Sequence, residues 1–352
     1  MLCPGRGHPV PSDGMRRGIN NCWSLLAREL VFRLACRHRQ GSKNNILLYC
    51  MPRSGSTWIL NTVAAHPGMR YVGRPFMTAH RSRWRRVIPD MAQTARHTGD
   101  HDFWQYIHFE GEALQRFERF ARNIVTARWH IYPTLHFRQP YFHRCTDRVI
   151  FQVHTIMPMI EWFDATFPVD TVILLRHPIP NALSVMAFGW RDECADFLNH
   201  QWFLDTHLTG EQVDFARQIS RDGSELQRQV LDWSFRMLMP MRSFESGRHP
   251  NWLLLTYEQT VLEPDLMVRI MSQHLDLPDV DAMMRQVKLP SRNVSRATAG
   301  KVDDPEYLLG RWRSKVSEEE QRQAMAIPAT FGLDVYRPDS IKPDPRLLHR
   351  PE

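Results

Sequence analysis

Lysine is almost missing from this 352-residue chain: five of its 45 basic side chains are lysines (43, 288, 301, 315 and 342) and the other 40 are arginines. Arginine's planar fork suits phosphate and sulfate better than a point-charge ammonium does. The net charge of +7 and the pI near 9.3 therefore suit an anionic ligand, although a general bias towards arginine would give the same count. Cysteine is also scarce. The six residues (3, 22, 36, 50, 145 and 194) form no CxxC pair, which excludes a zinc module and a disulfide framework and makes the reducing cytoplasm the expected location. Long apolar runs are absent as well. The segment CWSLLARELVFRLACRHRQ (22–40) is interrupted by Arg28, Glu29 and Arg33, too broken to span a bilayer and without a signal-peptide core. It reads as a basic amphipathic helix on a membrane surface, as a helix packed on the domain, or as sequence ahead of the true start. No basic stripe interleaved with aromatics occurs, so no nucleic-acid partner is expected; RSRWRR (81–86) comes nearest.

Four short apolar runs are present: NILLYC (45–50), RVIFQV (148–153), TVILLR (171–176) and WLLLTY (252–257). Unbroken runs of this length, rich in Val, Ile and Leu, suit strands covered on both faces of a parallel sheet. Helix-compatible segments lie between them at 57–65, 112–127, 157–166, 179–190, 224–245 and 263–275. The alternation predicts an α/β fold with a central, mainly parallel sheet flanked by helices, similar to P-loop NTPases. One domain is expected over 43–336. A basic, partly disordered extension (1–42) precedes it and a Pro-rich tail (337–352) follows.

Ligands of open parallel sheets bind beyond the carboxyl ends of the strands. The first run ends in PRSGST (52–57), ahead of a predicted helix. Backbone amides of such a turn and a helix N-terminus make an anion site. Gly55 permits close approach, Ser54, Ser56 and Thr57 offer hydroxyls, and Arg53 adds charge. A nucleoside-triphosphate loop would need Gly at Cys50 and Lys at Ser56. The loop is thus suited to phosphate but lacks the clamp for ATP. The third run ends in RHPIPNALS (176–184), where Pro178 fits a first helical turn and sets Ser184 about two turns on. Arg176 and Ser184 can hold a second phosphate, which points to a nucleotide phosphorylated at two positions.

On these residues the chain resembles the sulfotransferases that use 3′-phosphoadenosine 5′-phosphosulfate. PRSGSTW (52–58) looks like the family's 5′-phosphosulfate loop and RHPIPNALS like its 3′-phosphate motif. LLLTYE (253–258) and GRWRSKVSEEE (310–320) resemble later landmarks in the right order. The resemblance implies that Arg53, Ser54, Gly55, Ser56 and Thr57 hold the phosphosulfate. It implies further that Trp58 stacks on adenine and that Arg176 and Ser184 hold the 3′-phosphate. His154, in FQVHT (151–155), sits where cytosolic members have a Lys-x-His, and a His titrating near neutrality suits a general base. Arg53 would also offset charge on the bridging oxygen, and the scheme needs no metal. The group His97, His101, Asp102 and His108 is broken by Gly99 and Asp100 and reads as solvated loop.

The pattern has departures. Many members carry a catalytic Glu in a Gly-Glu context, where YVGRPF here places Arg74. That strengthens His154 as base, and is equally compatible with an inactive protein or with Arg74 gripping an anionic acceptor. The Arg-Lys-Gly run of cytosolic members is replaced by PEYLLGRW, so Arg292, Arg296 or Lys301 are the candidate substitutes for the 3′-phosphate, in a segment that reads equally as a solvated surface turn. The expected acceptor is a small molecule, carbohydrate or lipid headgroup, with phenols and peptidyl tyrosine also open. Its pocket is expected within 68–147 and 190–225, which include Trp84, Trp104, Trp129, Trp190 and Trp202. The competing readings are a P-loop-type kinase, which lacks its Lys and a strand-end Asp, and a catalytically impaired nucleotide-binding protein of the same fold.

Overall fold

The four apolar runs all become strands of one sheet. The computed structural model describes residues 36–77, 106–128, 143–289 and 304–349. A two-residue strand β1 (Arg37–His38) is followed by β2 (Asn45–Cys50) and the helix α1 (Ser56–Ala64). Next come β3 (Met69–Val72), helix α2 (Gly111–Val125), β4 (Cys145–Thr146), β5 (Arg148–Val153) and β6 (Val169–Leu175). The helices α3 (Pro178–Met186) and α4 (Glu225–Glu245) lead to β7 (Leu253–Thr256). After it come α5 (Pro264–His274), α6 (Asp281–Val287) and α7 (Glu318–Thr330).

Strands β3, β5, β2, β6 and β7 lie side by side in that order and every pairing is parallel. This is the α/β class that the apolar runs imply. β2 is central, with Leu47 opposite Phe151 on one flank and Thr171 on the other. The chain leaves β2 towards one edge and, after β5, crosses to the other side. The carboxyl end of β2 therefore lies at the switch point where an open sheet forms its crevice.

Alternation along β2 explains its continuous apolarity. Leu47 and Tyr49 face a core shared with Val230, Trp233 and Met237 of α4. Ile46, Leu48 and Cys50 face the opposite core with Ile59 and Val63 of α1 and Met267 and Met271 of α5. Both faces are dry, so neither sequence position could be polar. β3 was not expected, since MRYV is short and broken by Arg70. The helices between 194 and 222 and the C-terminal α7 were also unannounced by a continuous run.

Two flanking segments take part in the fold. Residues 37 and 38, counted in the N-terminal helical segment, form β1 and pair in parallel with Cys145 and Thr146. The rest of that segment, 22–35, lies outside the described residues. The Pro-rich C-terminal stretch is docked on the body: Tyr336 bridges Pro343, and His349 Nε2 lies 2.6 Å from the Leu254 carbonyl. Among the described residues no helix is long and apolar enough to cross a membrane, and Cys36, Cys50, Cys145 and Cys194 are free.

Candidate functional site

The loop after β2 is held in an open shape by two left-handed residues. Arg53 has φ 68° and Gly55 has φ 91°. A Cβ on Gly55 would lie 2.4 Å from the Tyr257 ring, so glycine is required for space as well as for conformation. Ser54 turns inward, where its hydroxyl donates to the Met51 carbonyl at 2.8 Å and stabilises the turn. Gly55 caps α1 without any side-chain hydrogen bond, and no acidic residue occupies the first turn. The first amides of α1 and its positive dipole end are therefore presented to an anion. Ser56 is buried and accepts from Gln152 Nε2 at 2.7 Å, which ties the loop to β5.

Arg53, Arg176 and Ser184, separated by up to 131 positions, meet at this loop. Arg53 Nε donates to Ser184 Oγ at 3.1 Å, and Arg176 Nη1 donates to the Arg53 carbonyl at 2.5 Å. Asn181 Nδ2 holds the Pro52 carbonyl at 2.9 Å. These bonds explain how a non-glycine residue is kept at positive φ. The Arg176 guanidinium stacks over Tyr257 at 4.5 Å and that of Arg53 over Phe188 at 4.2 Å. Arg176 Nε is buried and lacks a hydrogen-bond partner among the described residues. Burial, then Arg176, then Arg74 lower the pKa of Arg53. Three guanidiniums around one loop, one with an unmet donor, form a site that attracts an anion with more than one charged group.

His154 ends β5 next to this cradle. Its Nδ1 lies 2.7 Å from the Cys50 carbonyl. A carbonyl only accepts, so Nδ1 carries the proton and Nε2 is the acceptor nitrogen, as a general base requires. Burial first, then Arg74 and Arg236, push its pKa from 6.5 down to about 3. The near-neutral titration expected from the sequence does not hold in this charge environment. Arg74 enters through another left-handed residue, φ 54°. Both side chains line a cavity of about 550 Å³ together with Met51, Thr155, Trp190 and Asp232.

A second cluster sits one strand further along. Glu258, just after β7, accepts from the His177 amide at 2.9 Å and from the Tyr336 hydroxyl at 2.7 Å. The His177 ring lies 4.8 Å from Trp312 and 4.9 Å from Tyr336. LLLTYE and GRW thus converge on the HP of RHPIPNALS as a buried structural node.

Of the residues singled out in the sequence, Arg53, Gly55, Arg176 and Ser184 are brought together, and His154 adjoins them. Trp58 stands at the flank, its indole N–H donating to the Val287 carbonyl at 2.8 Å and its ring edge-on to Tyr257 at 6.3 Å. Arg292, Arg296 and Lys301 lie outside the described residues, as do Trp84, Trp104, Trp129, His97, His101 and Asp102. His108 pairs with Glu110 and stacks on Trp202 at 3.8 Å. Among the described residues no group of three or more His, Cys, Asp or Glu is placed to hold a metal ion. Tyr257, Thr155 and the Asp232–Arg236 pair were missed. The signal for Tyr257 was its place at a strand end; the signal for the pair was opposite charges four apart inside an apolar helix stretch.

No family model and no curated protein matches the chain. Solved structures are similar to it. The sulfotransferase domain of the Synechococcus PCC 7002 olefin synthase is 17% identical, over 85% of this chain and 100% of that one, with a TM-score of 0.37. The sulfotransferase domain of the curacin biosynthetic pathway is 12% identical over 83% and 99%, with a TM-score of 0.42. Retinol dehydratase in complex with androsterone and the inactive cofactor PAP is 14% identical over 82% and 80%, with a TM-score of 0.34. Values this low assign no residue roles, and the fold follows from the chain's own strand order.

Proposed function

We propose that the protein is a sulfotransferase that moves a sulfuryl group from 3′-phosphoadenosine 5′-phosphosulfate to a hydroxyl or amine acceptor. The observation that carries this reading is a linked pair of anion-binding groups: the uncapped N-terminus of α1 with Arg53, which bonds Ser184, and Arg176, which bonds the Arg53 carbonyl and whose Nε has no partner among the described residues. A nucleotide with phosphates on two positions needs two such cradles; a triphosphate needs one and a Lys that this loop lacks.

The donor, when bound, supplies the sulfuryl group. Arg53 and the first amides of α1 hold the 5′ end and offset the charge that grows on the bridging oxygen. Arg176 and Ser184 hold the 3′-phosphate, and Trp58 flanks the base. His154 Nε2 takes the proton of the attacking acceptor. A base with a pKa near 3 is too weak at neutral pH. Burial is the largest cause of that depression and Arg74 adds to it; an anion beside Arg74 offsets the Arg74 part and raises the basicity of His154 by that much. Acid–base competence of His154 is thereby coupled to donor binding.

The test is thermal unfolding of the full chain with adenosine 3′,5′-bisphosphate and, separately, with ATP and Mg²⁺. A ligand at about 100 times its dissociation constant adds about 2.7 kcal/mol of stability. The bisphosphate is expected to give this shift and Arg176→Ala to lose most of it. A shift with ATP and none with the bisphosphate would favour a kinase and remove the sulfotransferase reading.

A further inference from the structure

Helix α4 is buried along most of its length, yet one stripe of it is polar. Arg228, Asp232 and Arg236 are four residues apart, so they lie one above another on the same side of the helix. This stripe meets the turn at 190–193. Gln229 Nε2 donates to the Trp190 carbonyl at 2.9 Å, and Arg228 Nε lies 3.6 Å from an Asp192 carboxylate oxygen. The indole N–H of Trp233 donates to the Arg176 carbonyl at 3.2 Å. One helix thus touches both the turn that lines the cavity and the strand end that carries Arg176.

Arg236 gathers most of these links. It is 4% exposed, and each of its three guanidinium nitrogens faces a different group. Nε lies 3.0 Å from Asp232 and Nη2 lies 2.7 Å from Glu193. Nη1 lies 3.5 Å from the His154 carbonyl. That last contact is a charge against a dipole more than a short bond, and a dry interior screens it little. Asp232, Glu193, His154 and Arg236 all line the cavity. A buried ion pair is often no more stabilising than an apolar replacement, because desolvating the charges costs about what pairing them returns. Net stability is therefore a poor account of this triad.

We infer that Arg236 is a positioning residue for His154. It ties the carbonyl of His154 and the 190–193 turn to one helix, so that the ring and the cavity wall facing it keep a fixed relation. The ring is held separately, by Nδ1 on the Cys50 carbonyl. Backbone and ring are then both fixed, and Nε2 keeps one direction in the cavity. This role gains its meaning from His154 as the base, and so rests on the sulfotransferase reading.

The experiment is NMR of the full chain with isotope-labelled histidine, saturated with adenosine 3′,5′-bisphosphate. The readout is solvent exchange of the His154 Nδ1–H, assigned by its loss in His154→Gln. The Nε2–H of His177, whose Nδ1 accepts from the Ile179 amide at 3.2 Å, is the internal control. Arg236→Gln should speed exchange at His154 about tenfold, with the control and the bisphosphate affinity unchanged. Arg236→Lys keeps the charge but not the three-way fork, and should match Arg236→Gln. Glu193→Gln leaves Asp232 and Arg236 paired and should speed exchange about threefold; it decides the matter if the Arg236 variants do not fold. Wild-type exchange in Glu193→Gln or Arg236→Lys would overturn the inference while leaving the donor site standing. Equal acceleration at His177 would do the same, since a merely structural role loosens both histidines alike, and so would a His154 Nδ1–H that exchanges freely in wild type. Failure of the bisphosphate to bind wild-type protein removes the sulfotransferase reading, and this inference with it.

Discussion

Two polar clusters sit on neighbouring strand ends and treat their hydrogen bonds in opposite ways. Around β2 and β6, Arg53, Gly55 and Arg176 combine two left-handed residues, an uncapped helix and a guanidinium nitrogen without a hydrogen-bond partner among the described residues. Around β6 and β7, Glu258 has both oxygens occupied, by the His177 amide and the Tyr336 hydroxyl. Buried groups left unmet cost stability, so a fold keeps them where a ligand completes them. The first cluster is built for binding and the second for holding segment 304–349 against the sheet. The resemblance motifs straddle this division: PRSGST and the Arg and Ser of RHPIPNALS serve the first, whereas LLLTYE and GRW serve the second.

The sharpest separation comes from His154. His154→Gln keeps a donor for the Cys50 carbonyl but removes the base. Sulfuryl transfer should fall by about 10²- to 10⁴-fold, with the bisphosphate-induced shift in unfolding temperature retained. Wild-type turnover in this variant would place the base elsewhere. Removing the node should do the reverse. Glu258→Ala strands the His177 amide and the Tyr336 hydroxyl in the interior and is expected to lower stability by about 3 kcal/mol in urea unfolding. A stable Glu258→Ala protein that had lost only nucleotide binding would erase the distinction between the two clusters.

The smallest expected effect is a ligand-induced change in a pH dependence to which one histidine from each region contributes. Burial first, aided by Arg74 and Arg236 at His154 and by Arg313 and Arg176 at His177, lowers both pKa values from 6.5 to about 3. Both imidazoles are neutral in the fold, so their contribution is complete above 6.5 and is lost as pH falls towards 3. Each adds up to about 1.4 kcal/mol of slope per pH unit in that window. The slope should shrink in His154→Gln, and it should shrink in wild type with bound bisphosphate as the field at His154 is offset. An unchanged slope with ligand would show that the donor's charge does not reach His154.

The two best-predicted strands, β2 and β5, have the boundaries of their apolar runs, because burial on both faces leaves no polar position to blur the ends. β3 escaped notice, since at a sheet edge four residues including Arg70 suffice. The loop after β2 was legible for a related reason. A turn that needs positive φ, small residues and a following helix writes all three into six consecutive positions, and Gly55 is where space and dihedral both demand it. The cavity beside His154 was not legible. Arg74, Thr155, Glu193, Asp232 and Arg236 come from four separate segments, and none carries a local pattern that names its partners.

The sequence by itself determined the layered α/β class and the glycine turn between β2 and α1, because each follows from local burial period or local backbone geometry. Only the tertiary structure decided that Arg176 would hold the Arg53 carbonyl and that His154 would be a proton-free Nε2 in a basic field. It also decided that the cavity beside His154 would be lined by Asp232 and Arg236 of α4. Those properties arise from charges and dipoles that parallel crossovers bring within a few ångströms, and electrostatic energies depend on that distance and on burial, neither of which sequence separation encodes.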